Sequence, residues 1–368
     1  MSEPTGSTSE RLTTAHLLAV ATETDPSVTT RRLEFWRNEG LLPHPERTGQ
    51  AGTRPVWTYP PETVGQLQAL LRLRETTKDP DVLRAALWFG GYPVPTALAR
   101  AAIIDYIREM CAALDRVLQR QAPASDLGDD EVRSAALEQV ARVLARKRGK
   151  SLPRHERQSQ QDRDRAVFTM LGLALNGSSP GIKADEQDAA AVEGLLGMSA
   201  GRKLRIGDAG PWLSGPAADG LADFAKYGSI VALIDAVESI DDAALELART
   251  NARLLLHGVS FAARLADAFT GRPNVTGMTA LAEIGQSPEA GIWFTALLAS
   301  LGRSPTHADS VAQIAQALAE FQAIEDQIKT IAAMPEQARA AALTGLPDMP
   351  LRQQAGVRRT IAQFRPPE

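Results

Sequence analysis

One cysteine, Cys111, stands in a chain of 368 residues. An internal disulfide framework is therefore excluded, and a reducing compartment is expected. Histidine is scarce as well. His16, His44, His155, His257 and His307 are scattered, and none has the i, i+4 partner or the glutamate of a zinc site. Neither a metal nor a cofactor is expected. The chain lacks a Gly-x-Gly-x-x-Gly turn, a phosphate-cradling lysine loop and a Gly-x-Ser-x-Gly elbow. The reading is accordingly not an enzyme. No apolar run approaches the roughly 20 residues that a bilayer-spanning helix needs, so no membrane partner is expected. The opening Met1-Ser-Glu-Pro-Thr-Gly-Ser-Thr-Ser-Glu10 has no apolar core, is no signal peptide, and reads with Arg11 as a disordered tail over 1–11. A cytoplasmic location follows as an expectation. The net charge of −4 gives no global basic field. Any affinity for nucleic acid has to come from a local patch.

Such a patch lies near the N-terminus. Thr14 to Glu23 has a short helical pattern, and Thr24-Asp-Pro-Ser27 is a turn. A second short helix over 27–39 then carries Thr30, Arg31, Arg32 and Arg37, with the aromatic pair Phe35 and Trp36. Gly40 and Pro43 supply stop chemistry. Two short helices joined by a tight turn, the second one basic, have the shape of a helix-turn-helix. Phe35 is expected in the core, whereas Trp36 fits either core or contact. From His44 to Thr58 the chain is irregular, with Arg47, Gly49, Gly52 and Arg54 before the β-prone Val56-Trp-Thr-Tyr59. This spacing predicts a small hairpin with a glycine-rich tip. Pro60-Pro61-Glu62 then opens a helix whose apolar face includes Val64, Leu67, Leu70, Leu71 and Leu73.

Over roughly residues 12–92 this order of features resembles the MerR-type winged helix-turn-helix regulators. The segment Arg31-Arg32-Leu33-Glu34-Phe35-Trp36-Arg37, two residues, then Gly40-Leu41-Leu42 follows the family's recognition run. It departs at Glu34, where the family prefers arginine, and at Arg37, where it prefers an acid. The wing is stretched too, because Arg54 precedes Tyr59 by five positions instead of two. The resemblance implies that the second helix enters the major groove of double-stranded DNA. Thr30, Arg31 and Arg32 then reach base edges or flanking phosphates. Arg37, Arg47 and Arg54 hold the backbone, and Trp36, His44 and Tyr59 complete the DNA-binding set. It also implies a homodimer on a two-fold site.

The remainder reads as helical. A helix over 79–88 ends at Gly90-Gly91, and a longer one follows from Thr96 to Arg120. Ile103, Ile107, Met110, Leu114 and Val117 step along it at heptad spacing, which fits either a dimerisation seam or packing on a neighbouring helix. Residues 96–145 are thus a helical connector, 146–162 a basic linker, and 163–365 a helical C-terminal domain. Further helices are expected near 217–238, 241–269, 276–285, 288–301, 305–332, 335–344 and 350–363. The fold class is all-α, with an N-terminal winged helix-turn-helix over 12–95, a small β wing, and a larger multi-helix domain behind it.

Together these readings point to a sequence-specific transcriptional regulator, nucleoid-associated when bound. Its C-terminal domain is a candidate for sensing a small-molecule or protein effector, as MerR-like regulators often do. Two rivals stand beside it. One is an architectural, excisionase-like factor of a mobile element. The other is a protein-interaction scaffold.

Overall fold

A computed structural model describes residues 12–51, 54–121, 129–147, 159–176, 185–195, 226–270, 287–338 and 351–363. These are mostly helical, and the only sheet among them is a two-stranded hairpin. Contacts divide the chain into two compact units, Met1–Tyr106 and Ile107–Glu368. The expected tail 1–11, most of the basic linker and the expected helix 276–285 lie outside the described residues.

In the N-terminal unit, α1 (Thr14–Thr24) and α2 (Thr30–Asn38) are followed by β1 (Glu46–Ala51) and β2 (Arg54–Thr58). Then come α3 (Thr63–Thr76), α4 (Pro80–Phe89) and the first part of α5 (Thr96–Gln121). Local chemistry sets these boundaries. Thr13 caps α1 by accepting from the His16 amide at 3.3 Å. Asp79 caps α4 through the Asp81 and Val82 amides, with Pro80 in the first turn, where its missing N–H is no loss. The α3 helix begins at Thr63, later than the sequence suggested, leaving Pro60 and Pro61 ahead of it. The hairpin strands pair antiparallel, with a register irregularity between Arg47 and Gly49.

The core of this unit is built by its helices. Leu17 and Ala21 from α1, Leu33 and Trp36 from α2, Leu67 and Leu70 from α3, and Leu83, Leu87 and Trp88 from α4 are all buried. Helix α3 packs on both α1 and α4. Polar ties close the gaps between elements. The Tyr59 amide donates to the Leu12 carbonyl at 2.8 Å. Buried Gln66 donates through Nε2 to the Leu41 carbonyl at 2.9 Å. Arg84 clamps the end of α2, with Nε on the Glu39 carbonyl at 2.7 Å and Nη2 on its carboxylate at 2.6 Å.

The C-terminal unit has two packed groups. In the first, Leu118 on α5 meets Ala136, Leu137 and Val140 of α6 (Asp129–Lys147), with Leu114 and residues of α7 (Gln160–Asn176) alongside. Helix α7 also packs on α8 (Glu186–Leu195). Ser159 and Asp162 cap α7 reciprocally, amide to side chain in both directions. Residues 160–162, read as linker from the sequence, therefore belong to this helix. In the second group α9 (Ile230–Ser239) precedes α10 (Asp242–Thr270), on which α11 (Pro288–Gly302), α12 (Pro305–Ala333) and α13 (Leu351–Gln363) all pack, and α9 packs on α11. The expected helix over 217–238 is interrupted, because Ser229 caps a new helix by accepting from the Ala232 amide. No helix among the described residues is long and apolar enough to cross a membrane.

The heptad stripe on α5 is largely covered by the chain itself. Ile103 and Ile107 are buried, Leu114 packs against the α6–α7 group, Met110 is half-buried and Val117 is exposed. Ile103 and Ile107 are therefore not part of an open dimerisation seam. Heptad spacing describes a face, and burial within one chain satisfies that face as well as a partner does.

Gly40 provides a sharp test of this fold. Its φ is +68°, and a Cβ there would come within 2.7 Å of Leu98 Cδ1. Gly40→Ala is expected to destabilise the N-terminal unit by about 1–2 kcal/mol. Gly49 faces open space, so Gly49→Ala should stay within about 0.5 kcal/mol. Urea unfolding of the two variants, compared with the parent chain, checks the contrast.

Candidate nucleic-acid interface

The turn before α2 is built from side chains. Asp25 Oδ1 accepts from the Ser27 amide at 3.0 Å and from its hydroxyl at 2.7 Å. These bonds, the hydroxyl first, hold the exposed Asp25 carboxyl below its usual range. Thr29 then caps α2, its hydroxyl accepting from the Arg32 amide at 3.3 Å. At the far end, Gly40 turns the chain back so that the Leu41 and Leu42 amides both reach the Trp36 carbonyl, at 2.8 and 3.2 Å. Such a left-handed residue is the usual close of a helix.

With Leu33 and Trp36 directed inward, the first turn of α2 borders an open cleft of about 500 Å³. Ser27, Thr29, Arg31, Arg32, Phe35 and Trp36 line one side, and Arg74, Lys78, Pro80 and Leu83 the other. Four cations thus face one depression. The Arg74 guanidinium carbon lies 4.9 Å from the centroid of the Trp36 ring, a cation–π placement. Burial pulls the Arg74 guanidinium below its ordinary value, and the charge of Arg32 adds to this while Asp25 opposes it. Two guanidiniums that repel one another beside the positive end of a helix favour an anion in the cleft.

The structure redistributes the residues expected to meet DNA. Thr30 and Arg31 are exposed on α2, and Arg32 is half-buried, donating to the Ser27 hydroxyl at 3.3 Å. Trp36 is 2% exposed while Phe35 is 52% exposed. This reverses the expectation for Phe35 and removes Trp36 as a direct contact, because its ring is enclosed by the unit's own core. Arg37 is also corrected. It donates through Nη1 to the Tyr59 hydroxyl at 2.7 Å and lies 3.7 Å from the Glu34 carboxylate. Tyr59 is buried, and its hydroxyl is 3.3 Å from that of Thr14. Arg37 and Tyr59 thus join α2, α1 and the hairpin instead of facing solvent. His44 and Arg47 are exposed but do not line the cleft, and Arg47 stands opposite Trp57 in the hairpin register. Arg54 opens β2, its backbone paired with Ala51.

Sequence reasoning missed Arg74, Lys78 and the exposure of Phe35. Arg74 lies in the last turn of α3 and Lys78 beyond its extended C-cap Thr77, so helical spacing gave no signal that joins them. The basic crowd around residues 142–165 does not add a second surface of this kind among its described members. Arg142 pairs with Glu138, Arg165 with Asp185 and Asp188, and Arg163 is buried. Among the described residues, no group of three or more His, Cys, Asp or Glu is placed to hold a metal ion.

Arg37 distinguishes a structural tie from a phosphate contact. Arg37→Ala should cost about 1–3 kcal/mol of folding stability by removing a largely enclosed charged hydrogen bond. Tyr59→Phe should reproduce part of that loss. Neither change is expected to alter the salt dependence of DNA binding measured by fluorescence anisotropy. A flattened salt slope with unchanged stability would assign Arg37 to the phosphate backbone instead.

No protein-family model, curated protein or solved structure matches the chain.

Proposed function

We propose that residues 12–95 form a MerR-like winged helix-turn-helix, and that the protein is a sequence-specific, DNA-binding regulator of transcription. The carrying observation is the convergence of Arg31, Arg32, Arg74 and Lys78 on one cleft at the start of α2. A protein with net charge −4 gathers four cations there. Phosphates are the groups best suited to relieve their mutual repulsion. The exposed side of α2 beside the cleft is narrow enough to enter the major groove, about 12 Å wide. The hairpin with Arg47 follows α2 in chain order, as a wing follows the recognition helix in the resembling family. In this reading α2, Arg31 included, reads base edges, while Arg32, Arg74 and Lys78 of the cleft and the hairpin grip the flanking backbone.

The resemblance brings with it a homodimer on a two-fold site. Pairing then uses a surface other than Ile103 and Ile107, which the chain already covers. The C-terminal helical unit is assigned the effector-sensing role on the resemblance alone.

Selection of full-length protein on random duplexes tests the reading. Enrichment of a palindrome supports it. Binding and bending without sequence preference would favour the architectural alternative, and absence of binding would overturn both. Substitutions then separate gripping from reading. Lys78→Ala is expected to weaken all sequences alike and to lower the salt slope by about one for each protomer bound. Arg31→Ala is expected to relax preference at one position of each half-site, costing about 1–3 kcal/mol on the selected duplex. Titrations at two salt concentrations on selected and scrambled duplexes measure both effects.

A further inference from the structure

The outward side of α2 is not simply basic. Its exposed residues are Thr30, Arg31, Glu34, Phe35 and Asn38. Steps of three and four along a helix place Arg31, Glu34, Phe35 and Asn38 on one stripe. The remaining positions are engaged elsewhere: Leu33 and Trp36 in the core, Arg32 with Ser27 and Arg37 with Tyr59. At the middle of the stripe sit a carboxylate and a 52% exposed phenyl ring. Neither suits a phosphate. A carboxylate is repelled by the DNA backbone, and a phenyl ring offers it no donor.

Base edges present the chemistry these two side chains lack elsewhere. The thymine C5-methyl is the apolar group on the floor of the major groove. On its own major-groove edge cytosine offers the N4 amino donor without an acceptor, whereas on adenine the amino group adjoins N7. We propose that Phe35 and Glu34 set base specificity, Phe35 by packing on a thymine methyl and Glu34 by accepting from a cytosine N4 amino group. This rests on the DNA-reading function proposed above and names what that surface distinguishes. Arg37, 3.7 Å from the Glu34 carboxylate, helps to hold it over the groove.

The test uses full-length protein and the duplex it enriches, with each thymidine replaced in turn by deoxyuridine, which lacks only the methyl. A replacement at the contacted thymidine of one half-site should weaken binding about fourfold, the worth of one buried methyl. Phe35→Ala should bind the thymidine and deoxyuridine duplexes equally, and Phe35→Leu should restore the preference. Because Phe35 is exposed, both variants should melt with the parent protein. A parent protein indifferent to every replacement, or a selected site without thymine, overturns the role of Phe35. For Glu34, selection with Glu34→Gln should shift one preferred base from cytosine to adenine, since an amide pairs with adenine in a bidentate fashion. An unchanged preference overturns the role of Glu34. Failure to enrich any sequence would instead overturn the DNA-reading function itself, so the two failures are distinguishable.

Discussion

The enclosure of Trp36 sets the orientation of everything around it. A nine-residue helix has few positions with which to anchor itself, and α2 uses Leu33 and Trp36. With those two inside, rotation about the helix axis is fixed, and the stripe through Arg31 and Phe35 must face outward. The ring also receives Arg74 from α3, which brings a cation from 38 residues downstream to the edge of α2. The Trp36 carbonyl takes the Leu41 and Leu42 amides, so the same residue positions the chain leaving the helix. Loss of this side chain would open a large cavity, which is about 3–5 kcal/mol for an aromatic truncated to alanine. It would also free α2 to rotate and unmake the cleft.

The arginines around this anchor divide by what surrounds them. Arg37 and Arg84 have partners of opposite charge or strong acceptors on other elements: Tyr59 for one, and the Glu39 carbonyl and carboxylate for the other. They join α2 to the hairpin and to α4, and their positive charge is balanced nearby. Arg32 and Arg74 are balanced less, with Asp25 as the acid felt by Arg74 and a second guanidinium opposing it. Stability and binding thus draw on different arginines. Exposed ion pairs contribute little to folding, which leaves cations at the cleft free to serve an external anion without weakening the unit.

Much of the N-terminal unit was legible in the sequence. Gly40 and the Gly-Leu-Leu run marked the end of α2, whose start was placed at Ser27, ahead of the Thr29 cap, and the glycines and β-prone residues marked the hairpin. Those signals are local and act through backbone geometry. Which of Phe35 and Trp36 points inward was not legible, because adjacent helical residues lie about 100° apart and both are large and apolar. The contribution of Arg74 and Lys78 was hidden for a different reason. It depends on the end of α3 coming to the Trp36 ring, a long-range relation that periodicity within one helix does not encode. The α5 stripe shows the same limit, since Ile103 and Ile107 satisfy heptad spacing while covered by their own chain.

The C-terminal unit illustrates how a buried charge can specify packing without adding much stability. Glu325 on α12 is 1% exposed and meets His257 and Arg264 from α10, with Lys329 one turn along its own helix. Taking a carboxylate out of water is costly, and pairing seldom returns more than the cost. The partners, however, remain 38–48% exposed, so only the carboxylate bears the full desolvation. A cation on α10 is therefore required wherever Glu325 is enclosed, and a slip of α12 along α10 would strand the charge. Gly258 leaves room for the Leu318 side chain against the α10 backbone, since a Cβ there would meet its flexible Cδ2 end. The enclosed Glu325 and its partners on α10 therefore carry more of the alignment of the two long helices than this close approach does.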